Sequence, residues 1–126
     1  MYNRYSQILA QRSFQSAVGA GKSVGFVGLG CMGLPMSINL KSNGYSVKGF
    51  DLMPEARKAA TESGIMTVDT LAKAVSDVDY VITALPKTEH VAEVLQMDGG
   101  IFQSARPKTL ICDVSTIDPE GAKSFH

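Results

Sequence analysis

Three glycines near the start of the chain have a spacing suited to holding an anion. Gly28, Gly30 and Gly33 lie in the stretch GLGCMG, directly after the short apolar run SVGFV. A glycine has no side chain to keep a phosphate from the backbone, and the first N–H groups of a helix lack intrahelical partners. A G-x-G-x-x-G pattern between a strand and a helix therefore predicts a site for the pyrophosphate of a dinucleotide. The alternative is a glycine-rich turn that serves packing alone.

An acidic residue follows at the distance that such a site requires. Asp51 comes directly after the run SVKGF, 18 residues after the last glycine of the pattern. A carboxylate there can accept hydrogen bonds from both hydroxyls of an adenosine ribose, and it would repel a 2′-phosphate. Leu52 and Met53 offer no donor to such a phosphate, and Arg57 would lie a helical turn away. We therefore predict NAD rather than NADP as the cofactor; the alternative is an aspartate that only closes a strand in solvent.

The elements that must position these residues can be predicted from the apolar pattern. Short β-rich runs alternate with helical patterns, which begin at proline or after a capping residue such as Asp69 and stop at glycine. The strands are expected at residues 23–28, 46–50, 65–68, 80–85 and 109–114. Strands that alternate with helices over short turns indicate right-handed crossovers between parallel strands. The predicted fold class is therefore α/β, with a Rossmann-like doubly wound parallel sheet.

The composition argues against several classes of protein. The chain has 126 residues and no net charge, whereas a nucleic-acid-binding domain usually has a basic excess. No apolar run approaches the roughly 20 residues that a membrane-spanning helix needs. Cys31 and Cys112 stand 81 positions apart, without the spacing of a metal site. We expect them to be buried or semi-buried reduced thiols, and we expect no metal, nucleic-acid or membrane partner.

The first 22 residues differ from the rest of the chain. They include three basic residues and no acidic one, and they are rich in hydroxyl and amide side chains. A basic, amphipathic and acid-poor start is typical of a mitochondrial targeting segment. We therefore predict such a segment over residues 1–22, with cleavage after Phe14, delivery to the mitochondrial matrix, and a dinucleotide-binding domain over residues 23–126. The alternative is an extension that carries no address.

Three longer stretches resemble the β-hydroxyacid dehydrogenases, most closely the 3-hydroxyisobutyrate dehydrogenases. They are GFVGLGCMGLPMSINLKSNGYSVKGFD, ITALPKTEHV and DVSTIDP, in this order along the chain. The resemblance implies a set of cofactor-binding residues in the first two stretches: Gly28, Leu29, Gly30, Cys31, Met32, Gly33, Asp51, Leu52, Leu85, Pro86 and His90. It also implies that Ser115 and Thr116 contact the substrate carboxylate and the nicotinamide ribose of the cofactor.

Each part of this assignment has a simpler alternative. Leu85 and Pro86 could only end a strand. His90 could be a solvated or capping histidine at a helix start. Ser115 and Thr116 could only lead into the next helix.

The resemblance also implies a reaction. It is hydride transfer between a β-hydroxy acid similar to 3-hydroxyisobutyrate and NAD, as in valine catabolism, by a homo-oligomer. The lysine that transfers the proton would lie beyond His126, near an all-helical second domain. We therefore expect this chain to be the cofactor-binding portion of a dehydrogenase, incomplete at its carboxyl end, truncated before that domain and without a catalytic residue of its own. The alternatives are a semialdehyde or glyoxylate reductase of the same family, and a non-catalytic dinucleotide-binding module or accessory subunit.

Overall fold

A five-stranded parallel sheet forms the centre of the molecule. The structure is a computed structural model that describes residues 21–115, so Thr116 and nearly all of the predicted targeting segment lie outside the described residues. The sheet has the spatial order β3-β2-β1-β4-β5, and all neighbours pair in parallel. The strands are β1 (Ser23–Val27), β2 (Ser46–Phe50), β3 (Met66–Thr67), β4 (Tyr80–Thr83) and β5 (Leu110–Asp113). Each lies within its predicted range.

Five helices connect the strands. They are α1 (Gly33–Ser42), α2 (Pro54–Glu62), α3 (Leu71–Val75), α4 (Thr88–Gln96) and α5 (Ile101–Ser104). Pro54 takes the first position of α2, where its fixed φ suits a helix and its missing N–H leaves no gap. Gly44 and Gly64, with φ of 92° and 90°, follow the ends of α1 and α2 in the left-handed conformation that glycine adopts freely. The short helix α5 is not among the predicted elements.

The helices cover both faces of the sheet. Successive side chains of a strand point to opposite faces, and the two core clusters follow this alternation. Phe26 of β1 is fully buried in the cluster that includes residues of α1 and α2, whereas Val27 is buried in the cluster that includes residues of α3, α4 and α5. A parallel sheet needs such cover on both sides, since its crossovers carry the helices. The predicted doubly wound α/β fold is therefore confirmed.

The register of the sheet aligns the carboxyl ends of four strands. Val27 pairs with Phe50 of β2 and with Thr83 of β4, and Thr83 pairs with Asp113 of β5. The chain moves outward from β1 to β2 and β3, and then returns to place β4 on the other side of β1. The strand order thus reverses between β1 and β4. In open α/β sheets, ligands bind in the crevice outside the carboxyl ends of the strands at this switch point.

Side chains join the opposite, amino-terminal edge of the sheet. The Oδ2 atom of Asp79 accepts hydrogen bonds from N and Oγ of Ser23 at 2.9 and 3.2 Å, and its Oδ1 atom accepts one from Nη2 of Arg106 at 2.7 Å. Thr109 Oγ1 donates to the Val78 carbonyl at 2.9 Å. The backbone bond from Ser23 is the largest cause that holds the pKa of Asp79 below its ordinary value of 3.8. These contacts connect the starts of β1, β4 and β5.

The N-cap of α3 is Thr70, so the prediction of Asp69 in this role is wrong. Thr70 is extended, with φ of −133° and ψ of 150°, and its Oγ1 accepts a hydrogen bond from N of Lys73 at 3.3 Å. Asp69 lies one residue earlier, and its carboxylate instead pairs with Nζ of Lys73 at 2.8 Å on the surface. The cap must come directly before the first helical residue for its oxygen to reach the free N–H groups.

Both cysteines are free and exposed, which corrects the prediction of buried thiols. Cys112 lies on β5, the last strand of the described sheet, and Leu110 on the same face is also 61% exposed. Cys31 lies in the loop between β1 and α1. In both places apolar residues nearby in the sequence, Leu29 and Ile111, pack in or against a core, whereas the cysteine itself stays on the surface. Within residues 21–115, no helix is long and apolar enough to cross a bilayer.

Candidate functional site

A cleft of about 690 Å³ opens where the aligned strands end. Its walls come from the loop after β1, the end of β2, the loops after β4 and β5, and one side of α4. Most of the predicted site residues line it: Gly28, Gly30, Cys31, Met32, Gly33, Asp51, Leu52, Leu85, Pro86, His90 and Ser115. Residues that are up to 87 positions apart in the sequence, from Gly28 to Ser115, therefore share one cavity at the switch point of the sheet.

The three glycines of the loop meet three different surroundings. A Cβ atom on Gly28, whose φ is +100°, would lie 2.2 Å from the carbonyl oxygen of Ala84. A Cβ atom on Gly33 would lie 1.8 Å from the carbonyl oxygen of Gly28, so the start of α1 packs directly on the loop. Gly30 has no atom within 4 Å of such a Cβ position, and it faces the open cleft. Gly28 and Gly33 thus permit close packing, whereas Gly30 leaves space for a ligand.

The start of α1 points polar backbone groups at the same space. Within residues 21–115, no side chain caps this helix: its N-cap residue Met32 makes no side-chain hydrogen bond, and its first turn contains no acidic residue. The first N–H groups of a helix have no intrahelical acceptor, and the helix dipole adds about half a positive charge. The N–H of Leu34 already donates to the Gly30 carbonyl at 3.1 Å and Pro35 has no N–H, so a pyrophosphate bound between Gly30 and Met32 would be held by the N–H groups ahead of Leu34 and by the helix dipole.

Asp51 stands at the end of β2, and both of its carboxylate oxygens have backbone donors. Oδ2 accepts from N of Leu29 at 2.8 Å, and Oδ1 accepts from N of Met53 at 2.9 Å. Each oxygen has a second lone pair that remains available to a ribose hydroxyl. Leu29 itself does not line the cleft. Its side chain is 2% exposed and packs in the core, so any contact of Leu29 with a cofactor would involve its backbone alone.

The surface beside Asp51 is apolar and contains no positive charge. Leu52 and Met53 are 68% and 60% exposed and line the cleft. The guanidinium group of Arg57 donates to the carbonyl of Asp69 at 3.4 Å and is not part of the lining. In the part of the chain that the structure describes, no lysine or arginine lines the cleft. This wall therefore suits an adenosine with free ribose hydroxyls and offers no partner to a 2′-phosphate.

The other end of the cleft lies beyond β4 and β5. Since β2 and β5 are three strand spacings apart, this end is about 14 Å from Asp51. Leu85 and Pro86 line it from the loop after β4, and Ser115 lines it from the loop after β5. Ser115 Oγ accepts a hydrogen bond from N of Leu85 at 2.7 Å, so the two loops are joined.

Sequence reasoning missed some residues of this end. Glu93 and Val94 of α4 and Val114 after β5 also line the cleft. Glu93 lies three positions after His90, which is the spacing that places two helical residues on one face, so the histidine was a usable signal for the glutamate. Among residues 21–115, no cluster of histidine, cysteine, aspartate and glutamate could hold a metal ion.

Comparisons with known proteins agree with this geometry. The family described as the NAD binding domain of 6-phosphogluconate dehydrogenase matches residues 23–126. The chain is 35% identical over 121 residues to a protein of Dictyostelium discoideum named "Probable 3-hydroxyisobutyrate dehydrogenase, mitochondrial", covering 96% of this chain and 38% of that protein. It is 36% identical over 105 residues to an NAD-dependent L-serine dehydrogenase of Pseudomonas aeruginosa, covering 83% of this chain and 35% of that protein.

A solved structure has the same fold. It is the 3-hydroxyisobutyrate dehydrogenase of Mycobacterium tuberculosis with L-serine, to which this chain is 39% identical with a TM-score of 0.78, covering 83% of this chain and 35% of that one. The chain thus spans little more than a third of the length of these relatives. The matched part includes the glycine loop, Asp51 and the loop after β4. The chain therefore belongs to the family of the NAD-binding domain of 6-phosphogluconate dehydrogenase, with 3-hydroxyisobutyrate dehydrogenases among its relatives.

Proposed function

We infer that this chain is the NAD-binding part of a dehydrogenase that acts on β-hydroxy acids. One observation carries the inference: a single cleft joins the glycine loop, Asp51 and the loops after β4 and β5 at the switch point of the sheet. These residues supply, in spatial order, a ribose acceptor, a pyrophosphate cradle and an apolar wall. That order fits an extended dinucleotide that runs from β2 to β5.

Each part of the cleft has a separate task in this proposal. Asp51 accepts hydrogen bonds from the adenosine ribose and disfavours NADP by charge repulsion. Gly30 and the first turn of α1 hold the pyrophosphate. Leu85 and Pro86 form the wall beside the nicotinamide, and Ser115 contacts the substrate carboxylate and the nicotinamide ribose, a role that the resemblance also implies for Thr116. When bound, NAD supplies the hydride acceptor.

The proposed substrates share a carboxylate and a hydroxyl on the β-carbon. Both 3-hydroxyisobutyrate and L-serine have these groups, and relatives of this chain are named for one or the other. The general acid/base that hydride transfer requires is assigned to a lysine beyond His126, as the resemblance implies. A semialdehyde or glyoxylate reductase would use the same cofactor site, and its substrate would also place a carboxylate near Ser115. The complete protein is proposed to be a homo-oligomer in the mitochondrial matrix.

The competing function is a dinucleotide-binding module without catalysis. Isothermal titration with NAD tests the part that both functions share, and NADH absorbance with a panel of β-hydroxy acids tests the reaction. For the 126-residue chain we expect binding without turnover, because the proposed lysine is not among its residues. Loss of a general acid/base alone typically lowers a rate by about 10²–10⁴-fold.

Two outcomes would contradict the proposal. Absence of NAD binding to the folded chain would remove the cofactor assignment. Steady turnover that Gly30→Val abolishes would show that these residues contain a complete active site.

A further inference from the structure

A chain of hydrogen bonds joins the ends of β4 and β5 at the far end of the cleft. The hydroxyl of Thr83, a residue with no exposed surface, donates to Oδ1 of Asp113 at 2.8 Å. The backbone N–H of Ser115 donates to the same oxygen at 3.0 Å. Ser115 Oγ in turn accepts from N of Leu85 at 2.7 Å. The chain of contacts therefore runs from a buried strand residue to the wall of the cleft.

The order of these contacts gives each residue a different part. Asp113 and Ser115 form a tight turn in which the carboxylate accepts from the backbone two residues later, and the buried Thr83 hydroxyl fixes that carboxylate. The turn places the Ser115 hydroxyl on the N–H of Leu85, which follows β4. Without this acceptor the backbone donor would have no partner beside an apolar wall, which is costly.

The bond from Leu85 also determines what the Ser115 hydroxyl can still do. A hydroxyl that accepts one hydrogen bond keeps its own proton to donate. Ser115 Oγ lies 3.5 Å from the Thr83 carbonyl oxygen, so a bond to this acceptor is at the limit of hydrogen-bond distance. A substrate carboxylate would be a shorter and charged partner for that proton.

We propose that Asp113 and Thr83 are positioning residues that act through Ser115. They hold its hydroxyl against Leu85, which fixes the wall on which the nicotinamide rests and leaves the hydroxyl proton directed to the substrate. The contact stands on the geometry alone, whereas its role at the nicotinamide rests on the proposed function.

The contact can be tested in the cofactor-free chain by amide hydrogen exchange measured with NMR. The N–H of Leu85 should be protected in the unmodified chain, less protected in Asp113→Ala, and unprotected in Ser115→Ala. Asp113→Asn should retain much of the protection, because its amide oxygen can accept the same two bonds. Thr83→Val should lower the protection as Asp113→Ala does, and Thr109→Val is its matched control, since it removes a similar hydroxyl bond just ahead of the opposite ends of the same two strands.

The role can be tested by comparing NAD with ADP, which lacks both the nicotinamide and its ribose. Asp113→Ala and Ser115→Ala should weaken NAD binding by roughly 2- to 10-fold, the effect of one hydrogen bond, and should leave ADP binding unchanged. Asp113→Asn should restore most of the NAD affinity. Thr109→Val should change neither ligand.

The outcomes distinguish the contact between Ser115 and Leu85 from its proposed role in NAD binding. Unchanged protection of Leu85 in Ser115→Ala would overturn the contact. Lost protection with equal effects on both ligands, or with none, would overturn the positioning role. If the unmodified chain bound neither ligand, the proposed function and the positioning role would both fail, and the exchange data would still decide the contact.

Discussion

The Oδ2 atom of Asp51 lies 2.8 Å from the backbone nitrogen of Leu29, so the residue assigned to the ribose also holds the glycine loop. The two residues follow neighbouring strands, β2 and β1, and their bond ties the end of one strand to the loop that leaves the other. A change at Asp51 will therefore affect the ribose contact and the loop together. Experiments at this position need a variant that separates the two effects.

Asp51→Ala should weaken NAD binding by roughly 1–3 kcal/mol, because charge-assisted hydrogen bonds are lost, and should narrow the preference over NADP. Asp51→Asn keeps one acceptor oxygen, which can retain the bond from Leu29 while the bond from Met53 is lost, and it should narrow the preference for NAD over NADP because the repulsion of a 2′-phosphate is gone. Titration with both cofactors measures these differences. Glu62→Gln removes the same charge from an exposed position on α2 outside the cleft and is the control. Equal affinity of the unmodified chain for NAD and NADP would refute the prediction.

Gly30→Ala should chiefly weaken NAD binding, whereas Gly33→Ala should chiefly lower the stability of the fold. In Gly30→Ala the new Cβ has open space, so the free energy of unfolding should change by no more than about 0.5 kcal/mol. The free energy of NAD binding should become weaker by about 1–3 kcal/mol, because the new methyl group occupies space that the pyrophosphate needs. In Gly33→Ala the new Cβ would lie 1.8 Å from the carbonyl oxygen of Gly28, so the free energy of unfolding should fall by about 1–3 kcal/mol or more. Urea unfolding and NAD titration report the two quantities. Unchanged NAD affinity in Gly30→Ala would show that the pyrophosphate lies elsewhere.

Asp79 should make the protein sensitive to acid. Its pKa is lowered chiefly by the backbone N–H of Ser23, with the Ser23 hydroxyl and Arg106 acting in the same direction. A lowered pKa stabilises the folded state fully above the ordinary value of 3.8, and this stabilisation is lost as the pH falls below that value. The difference in urea midpoint between the unmodified chain and Asp79→Asn should thus be present at pH 7 and shrink at pH 3. Glu62→Gln, which removes a carboxylate from an exposed position on α2, is the control. A difference that stayed constant with pH would contradict this assignment.

Residues 1–22 should direct a fluorescent reporter to mitochondria. The prediction rests on the three basic residues and the absence of acidic residues in this segment. Replacement of Arg4 and Arg12 by glutamine should abolish the targeting, because the basic character of the segment would be lost. Reporter fluorescence that stayed in the cytosol with the unmodified segment would refute the prediction. Amino-terminal sequencing would show separately whether cleavage follows Phe14.

The strands and the cleft could be predicted because their signals are local. Glycine spacing and an acid after a strand report backbone geometry, and parallel strands must end at a common edge. Exposure could not be predicted in the same way. Cys31 and Cys112 have apolar neighbours in the sequence, but burial depends on which element packs above a residue. The burial of the Leu29 side chain depends on how the loop after β1 packs against the sheet, and the position of Glu93 in the cleft depends on how α4 packs there. No single stretch of sequence determines this packing.

The contacts of Asp79 lie at the start of the strands, and the cleft lies where the strands end. The two edges are separated by the length of a strand and share no side chain in the contacts described. For protein engineering, this separation makes them independent design regions. A variant whose cofactor preference has been changed around Asp51 can be repaired for lost stability around Ser23, Arg106 and Thr109 without disturbing the new preference.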